Sequence, residues 1–231
     1  MSRRIIDLSW PIEDRHIKAV STVENPGSFR YNGYICLSHK FDCPDSVGLH
    51  FEIASHCVPD PKGPPLERLP KDDVFAADVP VERLYEIPTT FLRLNRKGLD
   101  EAVTADELEK AAAGVSINAD DALLVQAQET STRAVQTDWK YQYFSPEAVD
   151  WIVSKKVRLF GSDTGEDHRN TPHTPRHTVQ LFMKLWKIGA WCLVRPNNLA
   201  LIRKCRVKLT VLPLPARTTV TTCRAVVIEE D

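Results

Sequence analysis

The chain has 231 residues, a size that one α/β or barrel-like domain commonly reaches, and its 42% hydrophobic and 26% charged residues match an ordinary globular protein. A formal net charge of -1 and a pI near 6.7 supply no long-range positive field, so nucleic acid is not an expected partner. The longest apolar run, Ile188 to Val194, has the length of a strand and cannot cross a bilayer.

The N-terminus reads MSRRIIDLSW, where the pair Ile5-Ile6 is far short of a secretory leader, and a cytoplasmic location is expected. The stretch GLHFEIASHCVPDPKG, Gly48 to Gly63, is more informative. It spaces His50, Glu52, His56 and Asp60 evenly, which on an extended chain places them on one face. His50 and Glu52 would lie about 6.6 Å apart at Cα, close enough to share a metal ion. His56 would lie about 13 Å from Glu52 in a straight strand, and could join them only through a bend near Ala54. The pattern fits either a displaced metal site of His50, Glu52 and His56 or a solvent-facing strand edge without chemistry. Cys57 adjoins His56 in sequence, but neighbouring strand residues point to opposite faces, so the two do not form a nucleophile–base pair and Cys57 is expected in the core. Five prolines between Cys57 and Pro70 exclude helix and central strand there and predict an ordered loop, a common wall of a binding site.

Strand-like TTFLRL comes next, then a helix in TADELEKAAAG. Thr104 caps it, Glu107 closes a capping box, Leu108 and Ala111 face inward, and Gly114 takes the left-handed stop. ALLVQA reads as a strand. SPEAVDWIVSKK starts with Ser145 as cap and Pro146 at the first helical position, buries Val149, Ile152 and Val153, and sets Lys155 and Lys156 at the negative end. Strand VRLFG leads into GSDTGED. There Asp163 is equally a candidate site acid and a structural hydrogen-bonding group, His168 is a secondary candidate, and His173 is expected on a solvated loop. The last helix, TPRHTVQLFMKLWKIG, has Thr174 and Pro175 as its start, and Val179, Phe182, Met183 and Trp186 as its core stripe. AWCLV, VKLTVL and RAVVI close the chain as strands.

Helix and strand alternate and two strands follow, which predicts an α/β fold with a mixed sheet, in one domain spanning 1–231. No glycine-rich phosphate loop follows a strand, so Rossmann-type or P-loop nucleotide binding has no support. The six cysteines, Cys36, Cys43, Cys57, Cys192, Cys205 and Cys223, lack zinc-ribbon or redox spacing and are expected to be reduced and mostly buried.

Several segments, taken in order, resemble the cyclase family of kynurenine formamidases, isatin hydrolase-like enzymes and proteins encoded with aromatic polyketide pathways. They are IIDLSWPI, ENPG at Glu24 to Gly27, ASH within the Gly48 stretch, PVERLYEIPTTFLRL, VTADELEKAAAGVSINADDALLVQ, SPEAVDWIVSKKVRLFGSDT, and NNLALI with VKLTVLPLPA and CRAVVI. The resemblance implies a swivelling β/α fold, with a central mixed barrel-like sheet flanked by helices, and a homodimer. It also implies the family motif H-x-G-T-H-x-D-x-P-x-H, whose first two histidines and aspartate hold zinc or manganese. In this chain only His56 matches a ligand. The other motif positions carry Glu52, Ala54, Ser55, Val58 and Lys62, and a later His and Glu of the family align with Phe182 and Val194.

Replacing the aspartate with Val58 and the later ligands with Phe182 and Val194 removes the charge that would hold a dication. No metal cofactor is therefore expected; the alternative is zinc or manganese on His50, Glu52 and His56. An apolar pocket with a few titratable groups suits a hydrophobic small molecule and chemistry by proton transfer. The expected function is ring closure in natural-product biosynthesis, of a polyketide, by positioning and acid/base catalysis without a metal. Glu52 and His56 are the first catalytic candidates, with His50, Asp163 and His168 behind them. Trp10, Phe29, Val58, Phe182 and Val194 are the candidate apolar walls. Two alternatives stay open: a metal-dependent amide or lactone hydrolase like the formamidases, and a binding or scaffold protein derived from such a hydrolase.

Overall fold

The computed structural model describes residues 2–12, 29–31, 34–36, 43–57, 74–94, 101–127, 143–164 and 177–230. Twelve strands and three α-helices lie in the described residues. The strands are β1 (Arg3–Asp7), β2 (Phe29–Tyr31), β3 (Tyr34–Cys36), β4 (His50–Glu52), β5 (Ile87–Arg93), β6 (Ala102–Val103), β7 (Ala122–Gln126), β8 (Tyr143–Phe144), β9 (Leu159–Ser162), β10 (Trp191–Val194), β11 (Arg206–Pro213) and β12 (Val220–Glu230). The helices are α1 (Ala105–Ala111), α2 (Pro146–Ser154) and α3 (His177–Lys187).

Eight strands form one sheet in the order β1-β12-β11-β5-β7-β9-β10-β4, and β12 also pairs with β4. That extra pairing closes seven strands into a mixed barrel, with β5, β7, β9 and β10 parallel and the other neighbours antiparallel. The length of β12 makes closure possible. Its first residues, Val220 to Thr222, pair with β4, and its last, Val226 to Glu230, pair with β1.

Alternation sorts the side chains into two cores. Phe51, Leu124, Leu159, Trp191, Leu193, Leu209 and Val227 fill the barrel. Leu123, Val125, Phe160, Cys192 and Val194, on alternate positions of the same strands, pack outward against the helices. Each fully buried aliphatic or aromatic side chain contributes about 1.5–3 kcal/mol. Gly161 lies in β9 where neighbouring strands crowd its Cα. A Cβ there would come within 2.9 Å of Leu124 Cδ2 and 3.1 Å of the Leu193 carbonyl oxygen.

Local signals place the helices as expected. Thr104 Oγ1 accepts from the Glu107 N–H at 3.4 Å, the Glu107 carboxylate accepts from the Thr104 N–H at 2.9 Å, and Gly114 has φ +78. Ser145 Oγ accepts from the Ala148 N–H at 3.2 Å, with Pro146 opening α2. Details of the buried faces differ from expectation. In α2, Val153 is only half-buried and Lys156 lies beyond the helix in the left-handed region. Among the described side chains of α3 the buried stripe is Leu181, Phe182, Leu185 and Trp186, whereas Met183 is half-buried; Thr174, Pro175 and the side chain of Val179 lie outside the described residues. No helix among the described residues is long and apolar enough to cross a membrane.

Candidate active site

The strand β4 is an interior strand, hydrogen-bonded to β10 on one side and β12 on the other. This corrects the solvent-facing edge considered from the sequence: His50 is 1% exposed and Glu52 3%. Leu49, Phe51 and Ile53 enter the barrel core, so the alternate residues His50 and Glu52 face the helix layer. Register confirms the face. Glu52 lies opposite Cys192 and His50 opposite Val194, both members of the helix-side core.

The two polar side chains meet. His50 Nε2 is 3.4 Å from Glu52 Oε1, while His50 Nδ1 is 3.0 Å from the Gly48 carbonyl oxygen. A carbonyl oxygen only accepts, so Nδ1 carries hydrogen and Nε2 is the nitrogen turned to the carboxyl group. Nε2 and Oε1 are thus placed to share a proton, an arrangement that can leave the buried pair without an uncompensated charge. Glu52 Oε2 is fully buried and has no hydrogen-bond partner among the described residues. It is the open coordination point of the pair.

The bend that would bring His56 round does occur. Ala54–His56 form a 3-10 turn directly after β4. His56 is exposed, its Nδ1 shares a hydrogen bond of 3.2 Å with Thr219 Oγ1, and its ring meets Trp186 edge-on at 6.0 Å between centroids. Phe182 stacks on Trp186 at 5.9 Å, completing an aromatic wall on α3. Cys57 is half-buried against the helix-side core, as expected. Burial, and then the charge of Glu52, push its thiol above the ordinary value, which leaves it protonated and a poor nucleophile.

The remaining candidates divide. Asp163 Oδ1 accepts from the Ala127 N–H at 2.7 Å, tying the end of β9 to the end of β7, so the structural role is occupied. Val194 is a wall directly across from His50. Trp10 is not brought to the pair: its indole N–H donates to the Arg195 carbonyl at 2.9 Å, and it lines a separate cavity of about 590 Å³ with Leu49, Leu212 and Cys223, whose lining includes neither His50 nor Glu52. Val58, His168 and His173 lie outside the described residues, as does the side chain of Phe29.

Sequence reasoning passed over three neighbours. Cys192 and Ser162 reach this face only through register, since Val194 pairs both His50 and Ser162. Trp186 was legible as core, but its fully buried indole nitrogen has no partner among the described residues, a fact that no spacing encodes.

Among the described residues the donors do not fit a family-type cation centre. No three His, Cys, Asp or Glu side chains gather into a possible metal site among the described residues. His56 engages Thr219, and Phe182 and Val194 are buried apolar side chains that offer no ligand atom.

A closed mixed barrel covered by helices, with a buried polar pair on the strand that leads into the ASH turn, defines the class of the protein. The family model described as "Putative cyclase" matches residues 6–166, and the chain belongs to this cyclase family. Similar solved structures agree on the fold. Isatin hydrolase A from Labrenzia aggregata bound to benzyl benzoate is 19% identical with a TM-score of 0.71, over 99% of this chain and 94% of that one. A protein described as a "predicted metal-dependent hydrolase from Bacillus stearothermophilus" is 15% identical with a TM-score of 0.66, over 100% of both chains. Another, described as a "potential metal-dependent hydrolase with cyclase activity", is 14% identical with a TM-score of 0.66, over 99% of this chain and 100% of that one. Among curated proteins none matches the chain.

Proposed function

We propose that this cyclase-family protein is an enzyme that closes a ring in a hydrophobic, multiply carbonylated small molecule of the poly-β-ketone kind, without a metal ion. The observation that carries the proposal is the buried His50–Glu52 pair with Glu52 Oε2 left open. Glu52 Oε2 takes a proton from the carbon between two carbonyls. The resulting enolate carbon attacks a second carbonyl of the same chain, and a proton returned through the pair neutralises the new alkoxide. No redox partner or co-substrate is needed. The apolar surroundings, Val194, Cys192, Phe182 and Trp186, favour a folded chain and exclude water, which is what intramolecular closure requires. His56, exposed at the turn, is the group available to exchange protons with solvent.

The test is turnover of a synthetic tri- or tetraketone, followed by the absorbance of its aromatised product. Glu52→Gln and His50→Gln should each lower kcat by about 100-fold or more, assayed at a temperature at which circular dichroism shows each variant to be folded. Unchanged turnover in both variants removes the mechanism. The likeness to isatin hydrolase favours one rival, opening of a cyclic amide or lactone at the same place. Stoichiometric zinc or manganese in protein purified without added metal, with hydrolysis lost on chelation, would establish that rival instead. Tight ligand binding with no chemical change on long incubation would indicate a non-catalytic binding protein.

A further inference from the structure

The end of β5, which round the closed barrel is separated from β4 by two strands one way and three the other, borders a cavity of about 640 Å³. Arg4, Arg93, Arg203 and Lys204 line it, with Phe91 and Ile202 as apolar surface. One buried carboxylate organises these cations. Glu229 accepts from Arg4 Nη1 at 2.8 Å and from the backbone N–H groups of Arg203 and Lys204 at 2.5 and 2.9 Å. Its neighbour Glu230 is engaged by Arg3 at 2.7 Å and Lys208 at 2.9 Å. Four cations therefore line the cavity; Glu229 takes the Arg4 guanidinium, and Lys204 Nζ donates to the Glu230 carbonyl oxygen at 2.5 Å.

Two of the four have no acidic partner among the described residues. Arg93 Nη2 spends both hydrogens on carbonyl oxygens, of Ala200 at 3.2 Å and Ile202 at 2.5 Å. This holds the guanidinium plane in place, and among the described residues no acceptor takes the N–H groups of Nε and Nη1, which can meet a ligand. Arg203 is exposed, and its backbone is fixed by Glu229. A concave surface with like charges held this close attracts anions, and a pre-positioned guanidinium fork matches phosphate oxygens in two-point fashion. The volume is that of a small-molecule pocket, and the Phe91–Ile202 surface can receive a carbon skeleton.

We propose that this cavity is a binding site for a phosphorylated small molecule, with Arg93 and Arg203 taking the phosphate oxygens and Lys204 completing the charge at the rim. Its lining includes neither His50 nor Glu52. Calorimetric titration of the full chain with inorganic pyrophosphate, at low and at high salt, tests it. Citrate serves as the polycarboxylate comparison. Pyrophosphate should bind wild type saturably with one site per chain, more tightly than citrate and less tightly at high salt. Arg203→Glu should weaken it by at least about tenfold with the unliganded thermal midpoint unchanged. Absence of saturable binding overturns the proposal. So does equal binding by wild type and Arg203→Glu, or citrate binding as tight as pyrophosphate, which would mark a diffuse charge effect.

Discussion

Glu52 and Gly161 illustrate how one position can be set by its tertiary surroundings. Evenly spaced His50 and Glu52 read as polar, yet both strands flanking β4 are satisfied and the helix layer covers the pair. Their shared face was legible from the two-residue period; their burial was not, because it depends on β12 from the far end of the chain. Gly161 stands at a position without room for a methyl group, as the 2.9 Å approach to Leu124 Cδ2 and 3.1 Å approach to the Leu193 carbonyl show. The backbone oxygen belongs to the sheet ladder and cannot yield as a side chain can. Gly161→Ala should lower stability by about 1–3 kcal/mol. Urea unfolding measures it, and a midpoint equal to wild type would show that the barrel relaxes there.

Helix ends were the most legible elements, since a cap is decided within four residues. Thr104 and Glu107 satisfy each other's backbone N–H groups, and Thr104 Oγ1 also lies 2.9 Å from the Glu107 carboxylate. Thr104→Ala should cost about 1 kcal/mol, and Thr104→Ser should recover most of it. Equal loss in both variants would assign the effect to the threonine methyl group rather than to capping. Strands were recognised as apolar runs, but their partners were not. β10 pairs in parallel with β9 and antiparallel with β4, and that second pairing decides which residues of each strand share the candidate site. Similarly, the helical period in α3 marked Phe182 and Trp186 as buried without showing that they form the wall beside His56.

Across the whole molecule, ion pairs link the first strand to the last. Arg3 and Lys208 bracket Glu230, Lys208 also reaches Glu86, Arg4 holds Glu229, and Arg224 holds Asp7. Hydrogen bonds from Lys208 lead in holding the Glu86 and Glu230 carboxyls below the ordinary value, joined at Glu230 by Arg3. For Glu229 burial pulls upward, but the backbone N–H groups of Arg203 and Lys204, together with Arg4, outweigh it; for Asp7 Ser9 and Arg224 do the same. All four are depressed, so their stabilisation is present above the unfolded carboxylate pKa of about 4 and is lost as pH falls through the lower folded values. The thermal midpoint should therefore drop steeply below about pH 4. At neutral pH, high salt should remove the share of the more exposed pairs, Asp7–Arg224 and those among Arg3, Lys208, Glu86 and Glu230, and leave that of the buried Glu229. A midpoint constant from pH 5 to pH 3 would show that these pairs add nothing.

Periodicity, capping and proline placement determined the helices, the strand-forming runs and the mixed α/β class, because each of these depends on residues close in the chain. The ordered segments from IIDLSWPI to CRAVVI were enough to point to the cyclase family. Closure of the barrel, the burial of His50 and Glu52, the turning of His56 toward Thr219 and the exclusion of Trp10 from the pair were decided only in three dimensions. The reason is that β12 must meet β4 across about 170 positions of sequence, and pairing over that separation is selected by the packing of the whole core rather than by local preference.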